Sequence, residues 1–185
     1  MDTRELIVQT ADNLIRYKGF NAFSYKDISA VIGIKTSSIH YYFPTKTSLA
    51  VAVVQEHERQ FERLTQKVVG KPVLEQITVL ISVYNQYLAA GQICLLGSLA
   101  TDLHTLEEPV KVVLKELADH ILNWLTEVLA HGRDEGEVFF NIPPRSKALL
   151  IITNLLAGLQ LTRLTGRQDF DIICQSILND LIIHS

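Results

Sequence analysis

The chain predicts an all-α fold of about nine helices, an N-terminal three-helix unit followed by a C-terminal helical bundle. Three observations lead there. Apolar residues recur at steps of three and four along most of its length, no stretch alternates as a half-buried strand does, and Gly and Pro fall between the periodic segments. The one β-like fragment, Val138-Phe139-Phe140, is too short and isolated to build a sheet.

Each element has a local reason. Leu6, Ile7, Thr10, Ala11, Leu14 and Ile15 form the apolar stripe of a helix over about residues 3–18, ended by Gly19, with Phe20 and Phe23 covering its end. Ser24 with Asp27 three positions on starts a short second helix, and Gly33 closes it by supplying the positive φ of a tight turn. A third helix fits residues 36–42 and ends before Pro44, because the residue preceding a proline is pushed out of the helical region. Thr45 caps a long fourth helix with the stripe Ala50, Val53, Val54, His57, Phe61, Leu64 and Val68, which runs to Gly70-Lys71-Pro72. Further apolar-periodic segments lie near 73–90, 92–103, 106–131, 144–164 and 168–183, with Pro143 and Pro144 suited to a helix start.

Composition narrows the classes. With 185 residues, 48% hydrophobic and 20% charged, the chain can pack a core without disulfides or structural metal, which excludes a large multidomain enzyme and wholesale disorder. Its longest uninterrupted apolar runs, at 49–54 and 148–152, are too short to cross a membrane, and the opening residues do not read as a signal peptide. Cys94 and Cys174, 80 positions apart, make neither a disulfide framework nor a zinc site. His120 and His131 share a helix face but stand about 16.5 Å apart along it, too far to hold one metal. A soluble cytoplasmic protein without cofactor is expected. The net charge of −3 hides an asymmetry: residues 1–50 hold six Lys or Arg against four Asp or Glu, whereas 51–185 hold eleven against sixteen. The protein is no general polyanion binder, yet a local basic surface at its N-terminus can meet phosphates.

Residues 24–46 carry the most information. A short capped helix, a glycine turn and a short helix bearing Thr36, Ser37, Ser38, His40, Tyr41 and Tyr42 have the spacing of a helix-turn-helix, whose second helix enters the major groove of DNA. Small hydroxyl residues let the backbone approach DNA, and His and Tyr can donate to bases or phosphates. Ile28, Val31, Ile34 and Ile39 are the apolar residues expected to lock the two helices together. Geometry alone leaves a generic helical hairpin with a polar surface as the alternative.

Residues 4–50 resemble the N-terminal domain of the TetR family of transcriptional regulators, through Gly19-Phe20, Ser24, Asp27-Ile28, Gly33-Ile34, the run 38–43, Lys46 and Leu49. The resemblance implies a homodimer whose helix-turn-helix units read the half-sites of a palindromic operator, and a small-molecule inducer that releases the DNA. It divides the chain into a DNA-binding domain, 1–47, and a ligand-binding and dimerisation domain, 48–185. By position Tyr42 and Lys46 resemble phosphate-contacting residues, while Thr36, Ser37, Ser38, His40 and Tyr41 fall on the groove-facing helix. Lys46 also has a reason of its own, since the free amides and dipole of a helix N-terminus favour an anion. Arg4 is a further phosphate candidate.

The C-terminal part offers two patterns. Segment 144–164 is apolar on nearly every side, and the last segment carries Phe170, Ile173, Ile177 and Leu181 on one stripe with Ile172, Leu178 and Ile182 on another. Uncovered, such faces make a large apolar patch, so Ile151, Leu155, Leu159, Phe170, Ile173, Ile177 and Leu181 are expected at a four-helix interface between two chains, the alternative being cover by an adjacent helix of the same chain. Tyr84, Tyr87, Cys94, His104, His120, Asn123, Trp124 and Gln160 place aromatic and polar groups on otherwise apolar helices, the mixture of a cavity for an apolar or aromatic small molecule. The segment around Cys94 resembles the Gly-Cys-Leu stretch of TetR-type repressors that sense electrophiles or oxidants. A thiol at a helix N-terminus has a lowered pKa, whereas a buried one among apolar neighbours is inert. Cys174, among isoleucines, is expected in the core.

Other classes lack their chemistry. There is no HExxH, Glu-x-x-His, P-loop or GxGxxG, and the adjacent pairs Glu107-Glu108 and Asp134-Glu135 do not share a helix face. An adaptor without specific DNA binding, and after it a small helical enzyme, remain the alternatives to a regulator.

Overall fold

A computed structural model describes residues 2–182. Nine α-helices and one 3-10 turn account for the regular structure, with no strand among the described residues: α1 (Thr3–Lys18), α2 (Tyr25–Ile32), α3 (Thr36–Tyr42), α4 (Lys46–Val68), α5 (Val73–Ala89), α6 (Leu95–Thr101), the turn Leu103–Thr105, α7 (Glu108–Asp134), α8 (Pro144–Thr165) and α9 (Arg167–Asn179). They divide into two compact units. One holds the residues up to Gln60 together with Cys94–Ala118, the other Phe61–Ile93 together with the residues from Asp119 onward, so α4 and α7 each supply residues to both.

In the first unit α1 begins with a reciprocal cap, Glu5 N–H donating to Asp2 at 2.8 Å and Asp2 N–H to Glu5 at 3.0 Å. Its inner face, Ile7, Ala11 and Ile15, is completely buried, as are Ile28, Ile39, Leu49 and Val53 of the following helices. Gly33 ends α2 in the left-handed region at φ +72°, the conformation its position required. Helix α6 packs on α1, and Ser98 Oγ donates to the carbonyl of Ile15 at 2.7 Å. This helix is shorter than its apolar pattern predicts. The chain before it is still turning at Gly91, φ +66°, and after Thr101 the bonds tighten to i→i+3, with Asp102 N–H on Leu99 and Thr105 N–H on Asp102.

A polar cluster sits inside this unit. Asp12 accepts from Arg16 at 3.0 and 2.7 Å and lies 2.7 Å from Nε2 of His57, joining α1 to α4. Burial alone raises a carboxyl pKa, but the bond and charge of His57 together with those of Arg16 outweigh it and hold Asp12 below its ordinary value.

In the second unit α8 and α9 pack on each other and on α5. The close approach is made at Gly158, where a Cβ would stand 3.0 Å from Ile173 and 3.2 Å from the ring of Phe170. Lys147, only 5% exposed, survives burial because its ammonium pairs with the Asp180 carboxylate and faces the Phe140 ring. Helix α8 is long and apolar enough by composition to cross a membrane, with a mean hydropathy of 1.4 over its most apolar stretch. Here it packs against α9 and α5, with buried Lys147 near its start reaching the exposed carboxylate of Asp180. The expected last segment ends earlier, at Asn179, and residue 183 lies outside the described residues.

Candidate nucleic-acid interface

Helix α3 is held from behind. Ile39 is completely buried and Phe43 nearly so, while two side chains of α2 bond the backbone at both ends of α3. Ser29 Oγ donates to the carbonyl of Ile34 at 2.5 Å, and the Tyr25 hydroxyl to that of Phe43 at 2.8 Å. Burial pushes the Tyr25 phenol up to about 12, so it stays a donor. The ring of His40 rests 4.6 Å from that of Tyr25. On the other side Ser37, Ser38, His40, Tyr41 and Tyr42 are exposed, Tyr41 at 82%, and Thr36 is half-buried. Polar and aromatic groups thus stand out from a helix whose axis cannot rotate without breaking named bonds.

The same unit carries several cations. Lys26 and Lys35 are exposed, and the Arg4 guanidinium lies 5.1 Å above the Phe43 ring. Lys46, at the first turn of α4, donates to the carbonyls of Phe20 and Phe23 at 2.5 and 2.6 Å and lies over both their rings. These two bonds engage two of its three donors. Desolvation lowers its pKa, against the supporting charges of Asp102 and Asp27. Thr45 caps α4 as its position foretold, accepting from Ser48 N–H at 3.0 Å.

The residues expected to line a ligand cavity are distributed over both units. Cys94 and His104 belong to the first, Tyr84, Tyr87, His120, Asn123, Trp124 and Gln160 to the second. Within the second unit Tyr84 and Tyr87 pair with ring centres 5.9 Å apart. His120 and Trp124 both meet the Phe61 ring edge to face, at 5.1 and 5.5 Å. His104 and Gln160 are exposed, and so is Asn123, which accepts from Arg145 at 2.8 Å. Cys94 does cap the N-terminus of α6, its Sγ accepting from Gly97 N–H at 3.2 Å. Burial nevertheless wins over that bond and pushes the thiol up to about 11, which favours the buried, inert thiol over a reactive thiolate. Cys174 is buried, as expected of a core position. No grouping of three His, Cys, Asp or Glu able to hold a metal occurs among the described residues.

Most residues expected between subunits are covered by the chain itself. Ile151, Leu155, Leu159, Phe170, Ile177 and Leu181 are buried within the single chain, and Ile173 is half-buried. The apolar residues left exposed lie on the other stripe: Leu149, Leu150, Leu161 and Leu164 on α8 and Ile172 on α9.

Residues 7–53 match the family described as bacterial regulatory proteins, tetR family. The crystal structure of a TetR transcriptional regulator from Legionella pneumophila is 31% identical over 98% of both chains, with a TM-score of 0.89. The chain belongs to the TetR family of transcriptional regulators. A second TetR-family regulator, from Agrobacterium tumefaciens, is 27% identical over 97% of each chain with a TM-score of 0.91. The HTH-type transcriptional repressor NemR of Escherichia coli is 23% identical over 156 residues, 81% of this chain and 78% of that protein. As a TetR-family chain it carries its helix-turn-helix, α2 and α3, inside the matched segment. The bonds from Asp102 to the turn before α2, at Phe20 and Asn21, were not legible beforehand, because the partners stand about eighty positions apart.

Proposed function

We propose that this TetR-family protein is a cytoplasmic, ligand-responsive repressor that binds a palindromic operator as a homodimer and leaves it when a small-molecule inducer is bound. The observation that carries the reading is α3, fixed at its back by Ile39, Ser29 and Tyr25 while Ser37, Ser38, His40, Tyr41 and Tyr42 face outward. In this reading Thr36, Ser37, Ser38, His40 and Tyr41 enter the major groove, and Tyr42 and the remaining donor of Lys46 engage phosphates. Residues 1–47 serve DNA binding, and 48–185 serve ligand binding and dimerisation. The subunit contact is the exposed stripe of Leu150, Leu161 and Leu164 with Ile172, and an apolar or aromatic inducer sits beside Tyr84, Tyr87, His120 and Trp124. Repression, rather than activation, follows the relative NemR.

Helix α4 contributes to both units, so a ligand that displaces it changes the separation of two recognition helices. Half-sites repeat about every 34–36 Å, and a shift of a few ångströms ends simultaneous engagement. The test is fluorescence anisotropy of the purified protein on DNA flanking its own gene, with excess unrelated duplex at stated salt. Competitor-resistant binding is expected. Failure there and in a random-site selection would sink the reading in favour of an adaptor.

A further inference from the structure

The turn between α1 and α2 is gripped from two sides by opposite charges. From one side the Asp102 carboxylate, at the end of α6, accepts Phe20 N–H at 2.9 Å, Asn21 N–H at 3.4 Å and the Asn21 side-chain amide at 3.0 Å. That amide also donates to Thr105 Oγ1 at 2.8 Å. From the other side the Lys46 ammonium takes the carbonyls of Phe20 and Phe23. The peptide group between Phe20 and Asn21 therefore gives its C=O to a cation and its N–H to an anion, so each bond polarises it in the direction that strengthens the other. Gly19 makes the turn that presents these groups: its backbone, at φ +92°, strains any residue with a side chain. Ser98, one helical turn earlier on α6, bonds the carbonyl of Ile15, so α6 holds the end of α1 as well as the turn that follows it.

From this arrangement we infer that Asp102 is a positioning residue for DNA engagement: it sets the turn from which Lys46 takes its two carbonyl partners, and thereby seats the Lys46 ammonium at the front of α4, beside the end of α3. The inference rests on the DNA-binding reading above. Its logic is geometric. A lysine side chain has four rotatable bonds, and an ammonium aimed by two carbonyls meets a phosphate without first losing that freedom. When the turn relaxes, the carbonyls move and the aim is lost, while α3 keeps its own anchors to α2.

The experiment uses the full-length protein and a duplex recovered from it by random-site selection, measured over a range of salt. Asp102→Ala is expected to weaken binding about tenfold, the scale of losing hydrogen bonds to a charged group. It should also reduce the salt slope by about 0.9 for each phosphate that is no longer neutralised, as Lys46→Gln does. A substitution that merely destabilised the fold would lower the active fraction and leave the slope of the folded molecules unchanged. In a double-mutant cycle the two changes together should weaken binding no more than Lys46→Gln alone. Multiplying effects, or wild-type affinity and slope in Asp102→Ala, would overturn the inference. Should Asp102→Ala fail to fold, Asn21→Ala, which removes only the side-chain amide's bonds to Asp102 and Thr105, carries the same cycle with a smaller first step. A wild-type protein that selects no duplex at all takes down the DNA-binding reading itself, a result distinct from a variant that binds like wild type.

Discussion

The helix-turn-helix unit and the α8–α9 pair solve the problem of fixing one helix on another in different ways. Around α3 the helices are short, and the joints are made by side chains bonding to distant backbone: Tyr25 to Phe43, Ser29 to Ile34, Lys46 to Phe20 and Phe23, Asp102 to Phe20 and Asn21, Ser98 to Ile15. Between α8 and α9 the joint is shape, with Gly158 admitting Phe170 and Ile173, and one ion pair, Lys147–Asp180, alongside. Apolar contact is non-directional, whereas a hydrogen bond fixes distance and angle. A surface that must present particular atoms to a groove gains from directional joints, and a surface that meets its partner through apolar contact does not.

Substitutions can break this contrast. Phe170→Ala removes a completely buried ring from the shape-packed joint and is expected to cost about 4 kcal/mol in urea unfolding. A loss below about 1 kcal/mol would show that α8 and α9 are not held by packing. Asp12→Ala leaves Arg16 and His57 facing each other without their shared carboxylate, at a cost of about 3 kcal/mol. Because Asp12 titrates below its unfolded value, its contribution is fully present above about pH 4 and fades as pH falls through the lowered folded value. Asp12→Asn should therefore flatten the acid limb of a stability–pH curve, and an unchanged limb would remove this assignment.

Tyr25→Phe deletes one directional bond and is expected to cost about 1 kcal/mol while weakening DNA binding. Its phenol titrates above the unfolded value, so the stability it adds is whole below about pH 10 and is lost as pH rises towards about 12. Ultraviolet titration at 295 nm that finds every tyrosine ionising near pH 10 would contradict this. The smallest effect on the single chain belongs to Leu150→Glu with Ile172→Glu, both exposed: within about 0.5 kcal/mol each, yet with the mass by light scattering moving from two chains to one. A particle of unchanged mass would place the subunit contact elsewhere.

What could be read beforehand divides along the same line. The ends of α1, α2, α3 and α4 were legible because Gly19, Gly33, Pro44 and Thr45 act on their own neighbours. The outward face of α3 was legible because Ile39 is its one apolar residue apart from the tyrosines. The inner face of α8 was not. With Leu149, Leu150, Ile151 and Ile152 in a row, apolar periodicity does not choose a side, and the choice is made by Gly158 and by Lys147, whose partner is 33 positions away. Cys94 fell between the two cases: its place at a helix start was readable, but the burial that raises its thiol was not.

One residue, Gly166 at φ +105°, makes the whole corner between α8 and α9. A corner without slack leaves no loop to order when two surfaces meet. The angle between the helices is settled while each chain folds, so a second molecule encounters a finished template, and its arrival loses little conformational freedom beyond that of the side chains it touches.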